Sequence, residues 1–66
     1  MDLSLITEGQ AFRLQPESVH GMLWLQTHFE KDDWDALTSG AVTIAPHDAA
    51  MLVIDAEDAK LIVHYD

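Results

Sequence analysis

The chain has 66 residues, and its twelve acidic and three basic side chains leave a formal net charge of −9. With 48% hydrophobic residues it is too apolar for a disordered acidic tail, and without cysteine it has neither disulfides nor thiolate zinc sites. No apolar run approaches the ~20 residues that cross a bilayer, and residues 1–9 lack the basic start of a secretory signal. The sequence therefore predicts one compact cytoplasmic domain over residues 1–66.

A hairpin is predicted at the start of the chain. Two short apolar pieces, residues 3–6 and 11–14, flank a turn-like segment in which Gly9 can adopt a positive φ. Phe12 and Leu14 alternate with polar neighbours, which is the periodicity of a strand. We interpret the two pieces as a short hairpin, or as one strand preceded by a loose terminus.

The next segment predicts a helix from Pro16 to about Glu30. Proline is favoured at the first helical position, and the following glutamate suits the positive end of the helix dipole. Trp24 then lies on the side away from the core, where Gly21 would let a partner backbone approach closely. The residues that recur at helical spacing and would face the core are Val19, Met22, Leu23, Gln26 and Phe29.

A polar break and a short helical turn follow the first helix. Asp32 or Asp33 can cap this turn, Trp34 and Leu37 would anchor it to the core, and Gly40 can end it. A short β-branched strand is predicted next, over residues 41–45.

Residues 46–58 leave two alternatives open. Pro46 and the alanines favour a helix, whereas Val53 and Ile54 favour one strand of a hairpin. Residues 61–65 are predicted as a strand in either case. The order of elements predicts an α+β domain, with a small, mostly antiparallel sheet of three to four short strands and one or two helices on one face.

Nothing in the sequence predicts an enzyme or a metal site. The serines lie in no nucleophile motif, and the three glycines are scattered instead of gathered in a phosphate loop. His20 and His28 do not have the i,i+4 spacing of a helical zinc pair. A chain of this length also has difficulty forming the pocket of ~300 Å³ that a small ligand needs. We expect no catalytic residue, no metal and no cofactor.

The acidic residues are the predicted binding site because they fall in two clusters. The first cluster is Glu30, Asp32, Asp33 and Asp35, and the second cluster is Asp55, Glu57 and Asp58. Carboxylates can stand where phosphates would, since Arg and Lys side chains bind both. Trp24 or Trp34 would supply an apolar anchor, because tryptophan is enriched at interface hot spots. The predicted partner is a basic surface of a nucleic-acid-binding protein; nucleic acid and anionic membranes would repel the chain.

In size, acidity, absence of cysteine and α+β pattern, the chain resembles the small phage-encoded anti-CRISPR and DNA-mimic proteins. The resemblance covers the whole chain and rests on no shared motif, so it assigns no role to an individual residue. It implies an inhibitor that occupies the DNA- or RNA-binding surface of a bacterial defence complex of the CRISPR-Cas type. The alternative is a homodimeric structural or regulatory domain, held by Met51, Ile54 and Trp24, whose charge serves solubility.

Overall fold

Residues 1–65 are described by a computed structural model, in which strands and helices follow one another as β1–β2–α1–α2–β3–α3–β4. The strands are β1 (Leu3–Glu8), β2 (Ala11–Pro16), β3 (Val42–Ile44) and β4 (Val63–Tyr65). The α-helices are α1 (Val19–Gln26), α2 (Trp34–Ser39) and α3 (Pro46–Asp58), and a 3-10 turn over Lys31–Asp33 leads into α2.

The four strands form one sheet in the order β3-β2-β1-β4. The β1–β2 and β2–β3 pairs are antiparallel, whereas β1 and β4 run parallel. Helix α3 carries the chain from β3 at one edge to β4 at the other, and these two strands point the same way. The described residues thus confirm the predicted α+β fold with a mostly antiparallel sheet, although they contain three α-helices where one or two were expected.

The helices cover the sheet face that Leu3, Leu5 and Leu14 share. Leu5 lies opposite Leu14 in the β1–β2 ladder, and alternate residues of a strand point to the same face. All three side chains are fully buried, and they form one core with buried residues from every helix. The helical members of that core are Leu25, Leu37, Ala49, Val53 and Ala56.

The structure confirms the predicted hairpin at the start of the chain and the predicted end of the short second helix at Gly40. Strands β1 and β2 pair along their whole length, from Leu3 opposite Pro16 to Glu8 opposite Ala11. Gly9 in the connecting turn has φ +64°, and Gly40 at the end of α2 has φ +72°. Glycine is favoured at such positions because it carries no Cβ to clash in the left-handed region.

Helix α1 is shorter than predicted and begins later. Pro16 does not open the helix; it ends β2, where it pairs with Leu3. The helix begins after Ser18, whose Oγ accepts a hydrogen bond of 2.9 Å from the Gly21 N–H. A serine at this position satisfies one of the free N–H groups of the first turn, which fixes the start of the helix.

Helix α1 also buries a different side from the one that periodicity predicts. Gly21 and Leu25 are its buried residues, whereas Val19 and Leu23 are exposed. The expectation that a partner approaches Gly21 is wrong, because this position is already occupied within the chain. A Cβ at Gly21 would overlap the carbonyl oxygen of Asp2.

Residues 46–58 form a helix and not a hairpin. Pro46 occupies the first turn of α3, as the helical alternative predicts. The helix ends in a Schellman motif, in which the Lys60 N–H donates to Glu57 O and the Leu61 N–H donates to Ala56 O, each at 3.0 Å. Lys60 adopts φ +68°, a conformation that glycine usually supplies.

Asp2 ties three distant segments of the chain together. Its carboxylate accepts a hydrogen bond of 2.7 Å from the Ser18 hydroxyl and another of 2.9 Å from the Ile62 N–H. Its own N–H donates to Ile62 O at 2.8 Å, and its carbonyl accepts from the Glu17 N–H at 2.8 Å. The residue therefore joins β1 to the cap of α1 and to the segment before β4.

The stability of the fold should depend on the ionisation of Asp2. The Ile62 N–H, and after it the Ser18 hydroxyl, holds the pKa of Asp2 below its ordinary value of 3.8. A lowered folded-state pKa stabilises the fold above the unfolded pKa, and this contribution disappears as the pH falls through the folded pKa. We expect Asp2→Asn to lower the free energy of unfolding at neutral pH, and the deficit to shrink below pH ~4.

Denaturant unfolding of both proteins across the acid range checks this expectation. Asp55→Asn is the control, because this carboxylate accepts no side-chain hydrogen bond within the described residues. A deficit of Asp2→Asn that stays constant from neutral pH to strong acid would show that the carboxylate charge contributes nothing.

Candidate protein-binding surface

The first acidic cluster lies on the 3-10 turn and the start of α2. Its four side chains are exposed to solvent. Asp33 is the N-cap residue of α2, but its side chain makes no capping hydrogen bond, so the predicted carboxylate cap is not formed. Asp35 lies in the first turn of α2. Carboxylates at a helix N-terminus are favoured by the helix dipole, so the fold tolerates this cluster well.

Trp34 and Leu37 attach the first cluster to the core. Leu37 is fully buried, and half-buried Trp34 packs against the same core. The Trp34 Nε1 donates a hydrogen bond of 3.2 Å to the carbonyl oxygen of Phe29. Trp34 therefore positions the neighbouring carboxylates, with only part of its ring open to a partner.

The second acidic cluster occupies the C-terminal end of α3. Asp55, Glu57 and Asp58 are all exposed, and the last turn of the helix contains no basic residue. The C-terminal end of a helix carries partial negative charge, which repels carboxylates by about 0.3–1 kcal/mol each at an exposed site. The fold therefore gains nothing from these three charges.

None of the seven cluster carboxylates has a cationic partner within residues 1–65. The ion pair in this part of the chain joins Arg13 Nε to Glu8 Oε2, which lie 3.2 Å apart without the alignment of a hydrogen bond. Both side chains are partly open to water, so the pair contributes at most about 1 kcal/mol. The cluster carboxylates remain available to groups outside the chain.

Trp24 packs partly against the core and remains partly exposed. It is half-buried against the core, and its ring lies 4.0 Å from the imidazole of His28 at a tilt of 32°. The carbonyl oxygen of Trp24 accepts a hydrogen bond of 2.6 Å from the Thr27 hydroxyl. These contacts fix Trp24 at the C-terminal end of α1.

A groove beside α1 is the feature that the sequence did not predict. It is shallow and widely open to solvent, with a volume of about 410 Å³. Its lining residues are Pro16, Glu17, Ser18, Val19, Met22 and Thr38. Val19 is 78% exposed, and Leu23, one turn further along α1, is 56% exposed. The signal was present in the sequence, since five of the eight residues of α1 are apolar and cannot all face the core.

Two other kinds of site were sought among residues 1–65. No three His, Asp or Glu side chains come together there in a group that could hold a metal ion. No helix in the same range has the length and apolar character to cross a membrane.

The comparisons with known proteins give one result. No curated protein and no solved structure matches the chain. The family model described as the cyanobacterial NIF11-like domain matches residues 4–65, which is nearly the whole chain. The chain therefore belongs to the cyanobacterial NIF11-like domain family.

Proposed function

We propose that the domain is a protein-binding inhibitor whose two acidic clusters occupy a basic, nucleic-acid-binding surface of a partner. One observation carries the proposal: all seven cluster carboxylates are exposed, and none is paired with a cation within residues 1–65. Each can accept hydrogen bonds from a guanidinium or ammonium group, as a phosphate does. The net charge of −9 would also accelerate encounter with a basic surface.

The second cluster supports this proposal through its position. Its carboxylates oppose the dipole of α3, so they work against the stability of a small domain. A basic partner would relieve that repulsion on binding. The partner in this proposal is a nucleic-acid-handling complex in the bacterial cytoplasm, of the CRISPR-Cas defence type, and the cyanobacterial name of the family is compatible with that setting.

Neutralising the first cluster should weaken partner binding while leaving the fold intact. We expect the combined variant Asp32→Asn, Asp33→Asn and Asp35→Asn to lose about tenfold or more in affinity, since a hydrogen bond to a charged group contributes ~1.5–3 kcal/mol. The immobilised domain is exposed to a cyanobacterial lysate at low salt, and proteins eluted by a salt gradient are identified and purified. The measurement is the Kd of a purified partner, together with competition by DNA or RNA.

The matched control removes the same number of charges elsewhere. The variant Glu8→Gln, Asp48→Asn and Asp66→Asn also changes the net charge from −9 to −6, because each of the two variants replaces three carboxylates. We expect it to bind within about threefold of the parent, with circular dichroism confirming that both variants fold. Equal losses in the two variants would mean that net charge alone acts. Full affinity of the cluster variant at physiological salt, or no competition by nucleic acid, would contradict the mimicry.

A homodimeric accessory domain remains a second candidate because Met51 and Ile54 are half exposed on α3. Trp24, which was expected to join them, packs instead against His28 and the core. Two copies that each carry nine negative charges would repel one another. Sedimentation velocity from micromolar to millimolar concentration tests this candidate: a dimer lost in Met51→Ser with Ile54→Ser favours it, and a monomer throughout excludes it.

A further inference from the structure

We infer that the groove beside α1 seats the apolar side of a basic amphipathic helix supplied by the partner. The inference rests on the proposed function, because it names the chemistry of the partner element that the acidic chain would bind. It adds a second surface, defined here as the α1 groove: the groove lining together with Leu23.

The α1 groove presents a row of exposed apolar side chains along α1. Val19 and Leu23 are four residues apart on α1, so they lie on the same side of the helix. Both are more than half exposed, and half-buried Met22 forms part of the groove wall beside them. Methionine adapts its shape to different apolar surfaces. An eight-residue helix is about 12 Å long, which matches two turns of another helix laid against it.

The rim of the α1 groove favours basic residues on the occupant. Glu17 lines the groove, and neither Lys nor Arg does. Thr38 of α2 also lines the groove and contacts Met22, with its Oγ1 3.9 Å from the sulfur. Asp35 lies three residues before Thr38 on the same side of α2, so this one carboxylate of the first acidic cluster lies beside the groove. Lysines or arginines flanking the apolar side of the occupant would meet these carboxylates.

Charge and area both disfavour a second copy of the chain as the occupant. Two copies would bring together two acidic surfaces of net charge −9. A stable protein interface covers about 800 Å² per partner, roughly a fifth of the 4215 Å² that this chain exposes. One side of an eight-residue helix is much smaller than that. The geometry therefore fits a single short segment of a larger basic partner.

A synthetic peptide of leucine and lysine provides the probe. The test peptide forms an amphipathic helix of about four turns, and the control peptide has the same composition in an order that scatters the leucines around the helix. Calorimetric titration into the full chain measures both affinities. We expect the amphipathic peptide to bind at least about tenfold more tightly. Equal affinity of the two peptides would show that only charge is recognised and would overturn the inference.

Paired variants locate the contact. We expect Val19→Ser with Leu23→Ser to weaken binding of the amphipathic peptide by about tenfold or more, since two apolar side chains lose their contact. The control is Met51→Ser with Ile54→Ser, whose parent side chains are 53% and 57% exposed on α3. It should bind the peptide like the parent chain. Unchanged affinity in the α1 variant, or an equal loss in both variants, would overturn the inference.

The binding affinities of the variants distinguish a failure of this inference from a failure of the proposed function. Suppose that neutralising Asp32, Asp33 and Asp35 weakens binding of the purified partner, while the Val19 and Leu23 variant does not. The acidic proposal then stands, and the groove inference fails. The opposite pattern supports the groove and removes the first acidic cluster as a binding surface. Loss in both variants, with the α3 control unaffected, supports both.

Discussion

Gly21→Ala is expected to lower the free energy of unfolding by about 3 kcal/mol, the cost of forcing an extra carbon into a packed site. The Cβ would overlap the carbonyl oxygen of Asp2 and lie 3.2 Å from the Leu3 Cδ2. That carbonyl accepts the Glu17 N–H at 2.8 Å, so the backbone of Asp2 cannot withdraw without losing this hydrogen bond. The expected sign is opposite to that of helix propensity, which favours alanine over glycine by about 1 kcal/mol.

Gly9→Ala is the control for the loss of a glycine. Nothing lies within 4 Å of a Cβ built on Gly9, so the cost there is only the left-handed conformation at φ +64°, about 1–2 kcal/mol. Denaturant unfolding followed by circular dichroism measures both variants. A midpoint of Gly21→Ala above that of the parent would contradict the close contact of α1 with Asp2.

The buried side of α1 could not be predicted from its own residues. Apolar side chains surround this helix, so periodicity does not select one side for the core. The buried side of α1 is set by Asp2 and Leu3, which approach Gly21 from the start of β1. A residue without a side chain marks the buried face, and no scale of hydrophobicity would give it that role. The exposed pair of Val19 and Leu23 is the consequence.

Elements with a local signal were predicted well. Gly9 and Gly40 stand where the backbone takes a positive φ, and the chemistry of glycine indicates such places directly. Pro46 and the alanines that follow it favoured the helix that α3 forms. The parallel pairing of β1 with β4 is different, because it joins Leu3 to Val63 across nearly the whole chain. No turn or spacing in the sequence indicates a contact at that separation.

The candidate binding surface likewise has features that the sequence predicts and features that depend on tertiary contacts. The clustering of the carboxylates is a property of the sequence, and their exposure follows from the cost of burying a charge. The surroundings of the tryptophans depend on tertiary contacts. Trp24 lies against His28 and Trp34 donates to Phe29 O, and both side chains are half-buried. The exposed apolar side chains next to the first cluster are instead those of the α1 groove.

The first cluster and the α1 groove both depend on α2. This helix has six residues, far fewer than an isolated helix needs to persist in water. Leu37 is its buried residue, and Thr38 beside it lines the groove. The contact of Leu37 with the core therefore fixes Asp35 and the groove wall together. Removing that contact should affect the fold and both proposed surfaces.

Leu37→Ala is expected to lower the free energy of unfolding by about 2–5 kcal/mol, the range for truncating a fully buried leucine. The side chain is 0% exposed and packs in the single core of the domain. A domain of this size has a total stability near the low end of ~5–15 kcal/mol, so the variant should retain at most about 3 kcal/mol and either unfold at a much lower temperature than the parent or keep α2 detached. Thermal unfolding by circular dichroism measures the first outcome, and amide hydrogen exchange across α2 measures the second.

Two neighbouring changes separate packing from helix content. Leu37→Met keeps the volume and should cost less than about 1.5 kcal/mol. Thr38→Ala alters the adjacent exposed position and should stay within about 0.5 kcal/mol of the parent. If Leu37→Ala unfolded at the same denaturant concentration as Thr38→Ala, Leu37 would not be in the core. If it remained folded with fast exchange confined to α2, its loss of partner binding would be due to the displaced cluster and groove wall, because α1 and α3, which carry the rest of the proposed surface, would be unchanged.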